Sequence, residues 1–473
     1  MNVISIIQFI VERVILTYTI MIILFYIILA VISAFSLVKY IRKNSFVDYN
    51  VILSSPLAPS VSILAPAFNE SKTIVENIRA LLSLYYHNYE VVVINDGSKD
   101  DSLEKIILAY DLEAVDYTVI HRLDSQPVRA IYKSRNKSYD KLIVVDKVNG
   151  GKADSLNAGM NVASKDYFVA IDVDSIIQSD ALVKLAKPFL EEKSAKIIAT
   201  GGVIRIANSC IIREGQIIQV KLPKKFLPRM QVLEYTRAFL MGRMAWSNLD
   251  GLLIISGALG MFDREIAINC GGYYAHTVGE DMELVVRMRM YMIDNNQKYK
   301  VAYIPDPLCW TEAPDSLRIL SRQRNRWTRG NIDTLIMHRK LFFNPKYGKM
   351  GWISFPFWFF FEWLAPIIEF FGIIFFIFMA ALGQINWQFF LLLLGLITVF
   401  ALTFSTYSIL FEELTYHRYE KKREIFRMLI AAWVEPFIYH PLTVFFSIRG
   451  NFDYFINKKK GWGDMARRGF DKQ

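Results

Sequence analysis

From Val14 to Lys39 the chain is almost wholly apolar. A run of that length suffices for a helix through the hydrocarbon core of a bilayer; a signal-peptide core is shorter and precedes a small-residue cleavage site. No such site follows, so the run reads as a transmembrane helix. Lys39, Arg42 and Lys43 come next, and basic flanks mark the cytoplasmic side of a span. Apolar character returns at Trp352, with spans expected near Trp352–Ala381 and Trp387–Leu410. A basic loop around His417–Arg427 follows, then an apolar stretch near Met428–Phe446. Glu435, Pro436, His440 and Pro441 sit in the middle of that stretch. Ionisable groups and prolines are costly there, which points to a broken or re-entrant segment. A single crossing would also leave the basic tail Lys458–Arg468 outside, against the charge rule. Four membrane segments are expected, and the 53% apolar content and mean hydropathy of +0.25 agree.

The net charge is +10, from 55 basic and 45 acidic residues. Such a balance suits phosphate-bearing ligands, anionic lipid or nucleic acid. Here the surplus follows the membrane segments and forms no aromatic-lined basic face, so nucleic acid is not an expected partner. Cys210, Cys270 and Cys309 give neither metal spacing nor a disulfide framework, which fits a reducing compartment.

Between these apolar ends, short apolar runs alternate with helical patterns. Val61–Ala65, Glu90–Asn95, Leu142–Val145 and Tyr167–Val173 read as strands; Lys72–Leu84, Ser102–Tyr110 and Ala153–Ala163 read as helices. Continuous apolar strands alternating with helices predict a mostly parallel sheet with helices on both faces. Ligands of such sheets bind beyond the carboxyl ends of the strands.

Charged clusters fall at those ends. Asn95-Asp96-Gly97-Ser98 reads as a turn, or as a place where the Asp96 carboxylate accepts from a nucleobase or ribose. Asp172-Val173-Asp174 reads as a charged loop start, or, by strand alternation, as two carboxylates on one side that repel unless a cation neutralises them. Oxygen ligands suit Mg²⁺ or Mn²⁺, which would hold a diphosphate. Lys147, Gly150, Gly151 and Lys152 precede a helix whose N-terminus can receive an anion. Thr277 with Glu280 fits a capping box; Asp281 is surplus to it and is a candidate general base. Gln323-Arg-Asn-Arg326-Trp327 lies in a basic amphipathic stretch, Leu317–Met337. That stretch suits a helix on the membrane surface, or a site where arginine binds departing phosphate and Trp327 offers a flat face to a sugar.

In order, Asp96-Gly97, Lys152, Asp172-x-Asp174, Glu280-Asp281 and Gln323-x-x-Arg326-Trp327 resemble the family 2 processive glycosyltransferases, which include cellulose, chitin, hyaluronan and poly-N-acetylglucosamine synthases. The resemblance covers about Val61 to Arg329, and the Q-x-x-R-W pentad is its specific part. It implies a GT-A fold, an α/β nucleotide-sugar domain, with α-helical transmembrane segments around it. The expected division is a transmembrane helix in 1–45, a cytoplasmic GT-A domain in 46–345 with an interfacial helix at 317–340, and membrane or interfacial helices with a basic tail in 346–473.

By the resemblance, Asp96 contacts uracil, Asp172 and Lys152 serve the nucleotide sugar, Asp174 ligates the metal, and Asp281 is the catalytic base. Gln323 and Arg326 lie at the diphosphate, and Gly257, Ala258 and Trp327 at the acceptor. Arg324 has no family counterpart to carry over. The implied reaction is a single inverting displacement from a UDP-sugar, UDP-glucose or UDP-N-acetylglucosamine, that extends a β-linked polysaccharide, with Mg²⁺ or Mn²⁺. The implied location is the plasma (inner) membrane. No module resembling the cyclic-dinucleotide-binding domain of cellulose synthases follows the last apolar segment. A single N-terminal span leaves a polymer channel to be completed by a secretion partner or a homo-oligomer. Two other readings are a transferase for a lipid acceptor such as diacylglycerol or polyprenyl phosphate, and a non-catalytic membrane scaffold.

Overall fold

The computed structural model describes residues 3–213, 215–416, 419 and 421–459. Residues 460–468 of the expected basic tail, and 417, 418 and 420 of the expected basic loop, lie outside the described residues.

The apolar runs become strands: β1 (Val61–Ala67), β2 (Tyr89–Asn95), β3 (Leu112–Val115), β4 (Val128–Ser134), β5 (Leu142–Lys147) and β6 (Tyr167–Ile171). Beyond them lie β7 (Ile176–Ile177), β8 (Lys196–Ile206), β9 (Ile211–Arg213), β10 (Gln216–Gln219), β11 (Leu259–Asp263) and β12 (Tyr299–Thr311). Ten form one sheet in the order β3-β4-β5-β2-β1-β6-β11-β8-β12-β7, and β9 pairs with β10 alone. Every residue of β2 and β5 is buried, as happens when both faces of a strand are covered. The Lys152–Val162 helix packs on β1 and β2, and the Ala181–Glu191 helix on β8.

The centre is parallel: β1 with β2 and β6, and β2 with β5. Register sets Ala67 beside Asn95 and Asn95 beside Asp146, so three carboxyl ends finish level. The margins are mixed. β4 runs antiparallel to β5, and β11 runs antiparallel between β6 and β8. The mostly parallel sheet expected from the sequence therefore describes the centre. β4 is only partly buried and has no continuous apolar run, and β8, β11 and β12 come after the alternation legible in the sequence.

Among the described residues, four helices are long and apolar enough to cross a membrane: Ile4–Asn44, Met350–Ala381, Trp387–Tyr416 and Lys422–Phe455. The last is one continuous helix through Pro436 and Pro441, not the broken segment expected. Its polar groups have partners. Arg237 donates to both carboxylate oxygens of Glu435, at 2.8 and 2.7 Å, and the His440 ring lies 2.9 Å from Glu369 Oε2. Neighbouring elements can compensate prolines in such helices. A second pair joins Arg205 on β8 to Glu412, which also accepts from Thr236 Oγ1 at 2.6 Å. Two buried ion pairs thus tie the α/β part to the apolar helices.

Candidate active site

Asp96 directly follows β2. Its carboxylate turns inward and accepts from Lys147 Nζ at 2.6 Å, Gly150 N–H at 2.9 Å, Gly151 N–H at 2.8 Å and Asn149 Nδ2 at 3.1 Å. It is 4% exposed. Gly151 has φ +87°, a conformation natural only to glycine. Asp96 therefore shapes the turn that launches the Lys152 helix.

β6 ends at Ile171, so Asp172, Val173 and Asp174 lie in a turn, closed by the Ser175 N–H on the Asp172 carbonyl at 2.8 Å. The alternation expected to put both carboxylates on one side does not apply, because the turn breaks the two-residue period. Asp172 pairs with Lys152 Nζ, which also donates to the Gly257 carbonyl at 3.0 Å. Asp174 is buried within this turn.

The Gly257 N–H donates to Asp281 Oδ2 at 3.1 Å, and the Met282 N–H donates to Oδ1 at 2.9 Å. Asp172, Lys152, Gly257 and Asp281 thus form one contact chain from β6 to the Glu280–Asp294 helix. The expected capping box is absent. The helix starts at Glu280, and Thr277 Oγ1 instead accepts from the Gly279 N–H at 3.2 Å and donates to Asp333 at 3.0 Å. A box needs its Glu at the third helical position, and here Glu280 is the first. Glu280 is 3% exposed. Burial pushes its carboxyl up to about 7; Lys152 and Arg326 oppose the shift and Asp281 adds to it.

The pentad lies on the Leu317–Met337 helix, capped by Ser316. That helix meets the Glu280 helix at two glycines: a Cβ on Gly330 would come within 2.7 Å of the Gly279 Cα. Gln323 is buried, and Trp327 is 40% exposed. Arg324 pairs with Glu234, and its guanidinium carbon lies 4.3 Å from the Trp327 ring centre.

A cavity of about 410 Å³ opens between these elements. Of the residues singled out from sequence, Lys152, Asp172, Gly257, Ala258, Asp281, Gln323, Arg326 and Trp327 line it; Asp96 and Asp174 do not. Lys152 and Arg326, Asp172 and Asp281, and the Trp327 ring around one space can hold a charged diphosphate and a sugar side by side. Sequence reasoning missed Glu234, Tyr235, Trp358 and Trp363, which also line it. Glu234 and Tyr235 come from a stretch with no motif. The two tryptophans read only as part of an apolar span.

Among the described residues, no group of three or more His, Cys, Asp or Glu side chains could hold a metal. A Mg²⁺ or Mn²⁺ shared with substrate phosphates needs only one or two carboxylates; Asp172 offers one at the cavity, with Asp174 two residues on in the same turn, so this donor set fits.

The model of a family described as glycosyltransferase like family 2 matches residues 58–330, and a chitin synthase model matches residues 276–446. The poly-beta-1,6-N-acetyl-D-glucosamine synthase of Staphylococcus epidermidis is 28% identical over 276 residues, 58% of this chain and 55% of that protein. The synthase of the same name from Staphylococcus aureus strain COL is 26% identical over the same shares. The chain spans about half the length of these curated relatives. A solved mannosyltransferase from Pyrobaculum calidifontis, in complex with GDP-Man and Mn²⁺, aligns over 93% of this chain and all of its own with a TM-score of 0.49 and 15% identity.

Proposed function

The chain belongs to the family 2 glycosyltransferases, and from that premise we propose that it transfers N-acetylglucosamine from UDP-N-acetylglucosamine to the end of a growing β-linked glycan. The choice of sugar follows the relatives' names. What most supports the reading is the convergence of Lys152, Asp172, Gly257, Asp281, Arg326 and Trp327 on one cavity from five separate stretches of chain.

Asp281 is the general base. The Gly257 and Met282 N–H groups fix both its oxygens, so the carboxylate is oriented before the acceptor hydroxyl arrives. It takes that proton while the oxygen attacks the anomeric carbon, and the configuration inverts without a covalent intermediate. Arg326 and Lys152 stabilise the negative charge that builds on the departing UDP. Gln323 borders the diphosphate, while Gly257, Ala258 and Trp327 border the acceptor sugar. Asp172 and Asp174 would hold a Mg²⁺ or Mn²⁺, which when bound neutralises diphosphate charge. Asp96 acts on the nucleotide indirectly, through the Gly150–Gly151 turn.

The division into 1–45, 46–345 and 346–473 is part of the proposal, with the α/β domain cytoplasmic at the plasma membrane and the Leu317–Met337 helix at its surface. Lys39, Arg42 and Lys43 beside the first span support that orientation.

A panel of UDP-sugars with purified protein and Mg²⁺ or Mn²⁺, products sized, tests the reading. The expected product is a polymer made from UDP-N-acetylglucosamine; a small glycolipid would overturn polymer synthesis. Asp281→Asn should keep donor binding and lose transfer by roughly 10²- to 10⁴-fold. Normal turnover in that variant would remove Asp281 from the base role.

A further inference from the structure

The helix Phe226–Tyr235 continues as a π-helical segment, Thr236–Arg243, and packs along the last apolar helix, Lys422–Phe455. Two polar rungs join them. Arg237 meets Glu435 in one, as described above. One turn further along the apolar helix, the Tyr439 hydroxyl donates to Glu234 Oε2 at 2.8 Å. The same oxygen accepts from Arg324 Nη2 at 2.7 Å, and Arg324 Nη1 bonds the other oxygen. Arg324 Nη2 also lies 3.3 Å from the Tyr439 hydroxyl.

Arg324 is only 7% exposed. Its fork is engaged by one carboxylate, so its charge is neutralised locally and phosphate binding is left to Arg326. Its flat surface lies against Trp327 at 4.3 Å, within the range of a cation–π contact. An indole that is 40% exposed on a helix can otherwise turn about two side-chain bonds, and a buried guanidinium against it removes that freedom.

We propose that Arg324 is a positioning residue for the transfer: Glu234 and Tyr439 pin it, and it fixes the Trp327 ring as the platform on which the acceptor sugar stacks. The last apolar helix thereby takes part in acceptor binding through Tyr439. The proposal rests on the reading of Trp327 as an acceptor contact given above.

The test is a double-mutant cycle in the full-length protein, with UDP-N-acetylglucosamine as donor and a short β-1,6-linked N-acetylglucosamine oligomer as acceptor. Arg324→Lys keeps the charge but loses the fork. Tyr439→Phe removes one hydroxyl and leaves packing intact. Arg324→Lys should raise the acceptor KM roughly tenfold, the worth of one charge-assisted hydrogen bond, and Tyr439→Phe about threefold. The donor KM should move less than twofold. In a Trp327→Ala background both substitutions should change the acceptor KM by less than twofold. Equal factors in both backgrounds, or an effect on the donor KM instead, would overturn the positioning role. Wild-type protein that does not elongate the oligomer, or a Trp327→Ala variant with an unchanged acceptor KM, would overturn the underlying reading of the site, and this inference with it.

Discussion

Replacing Gly330 with alanine sets two effects against each other. Gly330 lies inside the Leu317–Met337 helix, where alanine is intrinsically better by about 1 kcal/mol. Propensity alone predicts a more stable protein. The contact predicts the opposite, because the new Cβ would lie 2.7 Å from the Gly279 Cα and 2.9 Å from its nitrogen. Carbon atoms pack at about 3.5–4.0 Å, so the two helices must separate by about 1 Å. Overpacking of this kind costs about 1–3 kcal/mol, which cancels the propensity gain or exceeds it. The functional effect is larger. Gly330 sits one turn beyond Arg326, and Gly279 immediately precedes Glu280 and Asp281. Separation there draws the proposed base away from the arginine and the tryptophan, and a 1 Å misplacement costs on the order of 100-fold in rate. UDP release from UDP-N-acetylglucosamine and thermal unfolding in detergent measure both quantities. Gly395 is a matched control, since a Cβ there meets nothing within 4 Å. Gly395→Ala should keep activity and not lower the melting temperature. A Gly330→Ala protein that melts higher and retains more than half its turnover would refute the argument.

Glu280→Gln probes the buried carboxyl beside Asp281. Its pKa is raised on folding from 4.5 to about 7, so between those pH values the native state holds the proton more tightly than the unfolded chain. Wild-type stability should fall as pH rises through that window and level off above it. Unfolding curves of Glu280→Gln should lack this slope, and an identical slope would exclude Glu280 as its source. Arg237→Met leaves the Glu435 carboxylate buried without its cation and should cost about 3–5 kcal/mol, seen as a lowered melting temperature; an unchanged one would mean that water reaches the pair. Asp96→Ala leaves the Gly150 and Gly151 N–H groups without their acceptor and Lys147 with only Asp154 and the Val148 carbonyl. UDP affinity by calorimetry should fall at least tenfold, and unchanged affinity would separate this turn from nucleotide binding.

The central strands were legible because continuous apolar runs such as Val91–Ile94 admit few other structures. The motif residues were legible because chemistry constrains their type. What was hidden is pairwise. The sequence offers no sign that Lys152 bridges Asp172 and the Gly257 carbonyl, nor that Gly279 and Gly330, far apart in the chain, touch. Asp172 and Asp174 misled because alternation holds only while a strand lasts, and this one stops at Ile171. Glu435 misled for a related reason: a carboxylate in an apolar run is costly only without a partner, and Arg237 comes from a segment with no motif.

The ion pairs of Arg205 with Glu412 and Arg237 with Glu435 bear on how this protein can be handled. A boundary drawn at residue 345 separates two compositions but not two foldable pieces. A fragment shortened there would strip both arginines of their counter-charges and open the floor of the cavity at Trp358 and Trp363. Attempts to obtain a water-soluble catalytic fragment should therefore give aggregated material, whereas extraction of the whole chain in a mild detergent keeps each arginine matched.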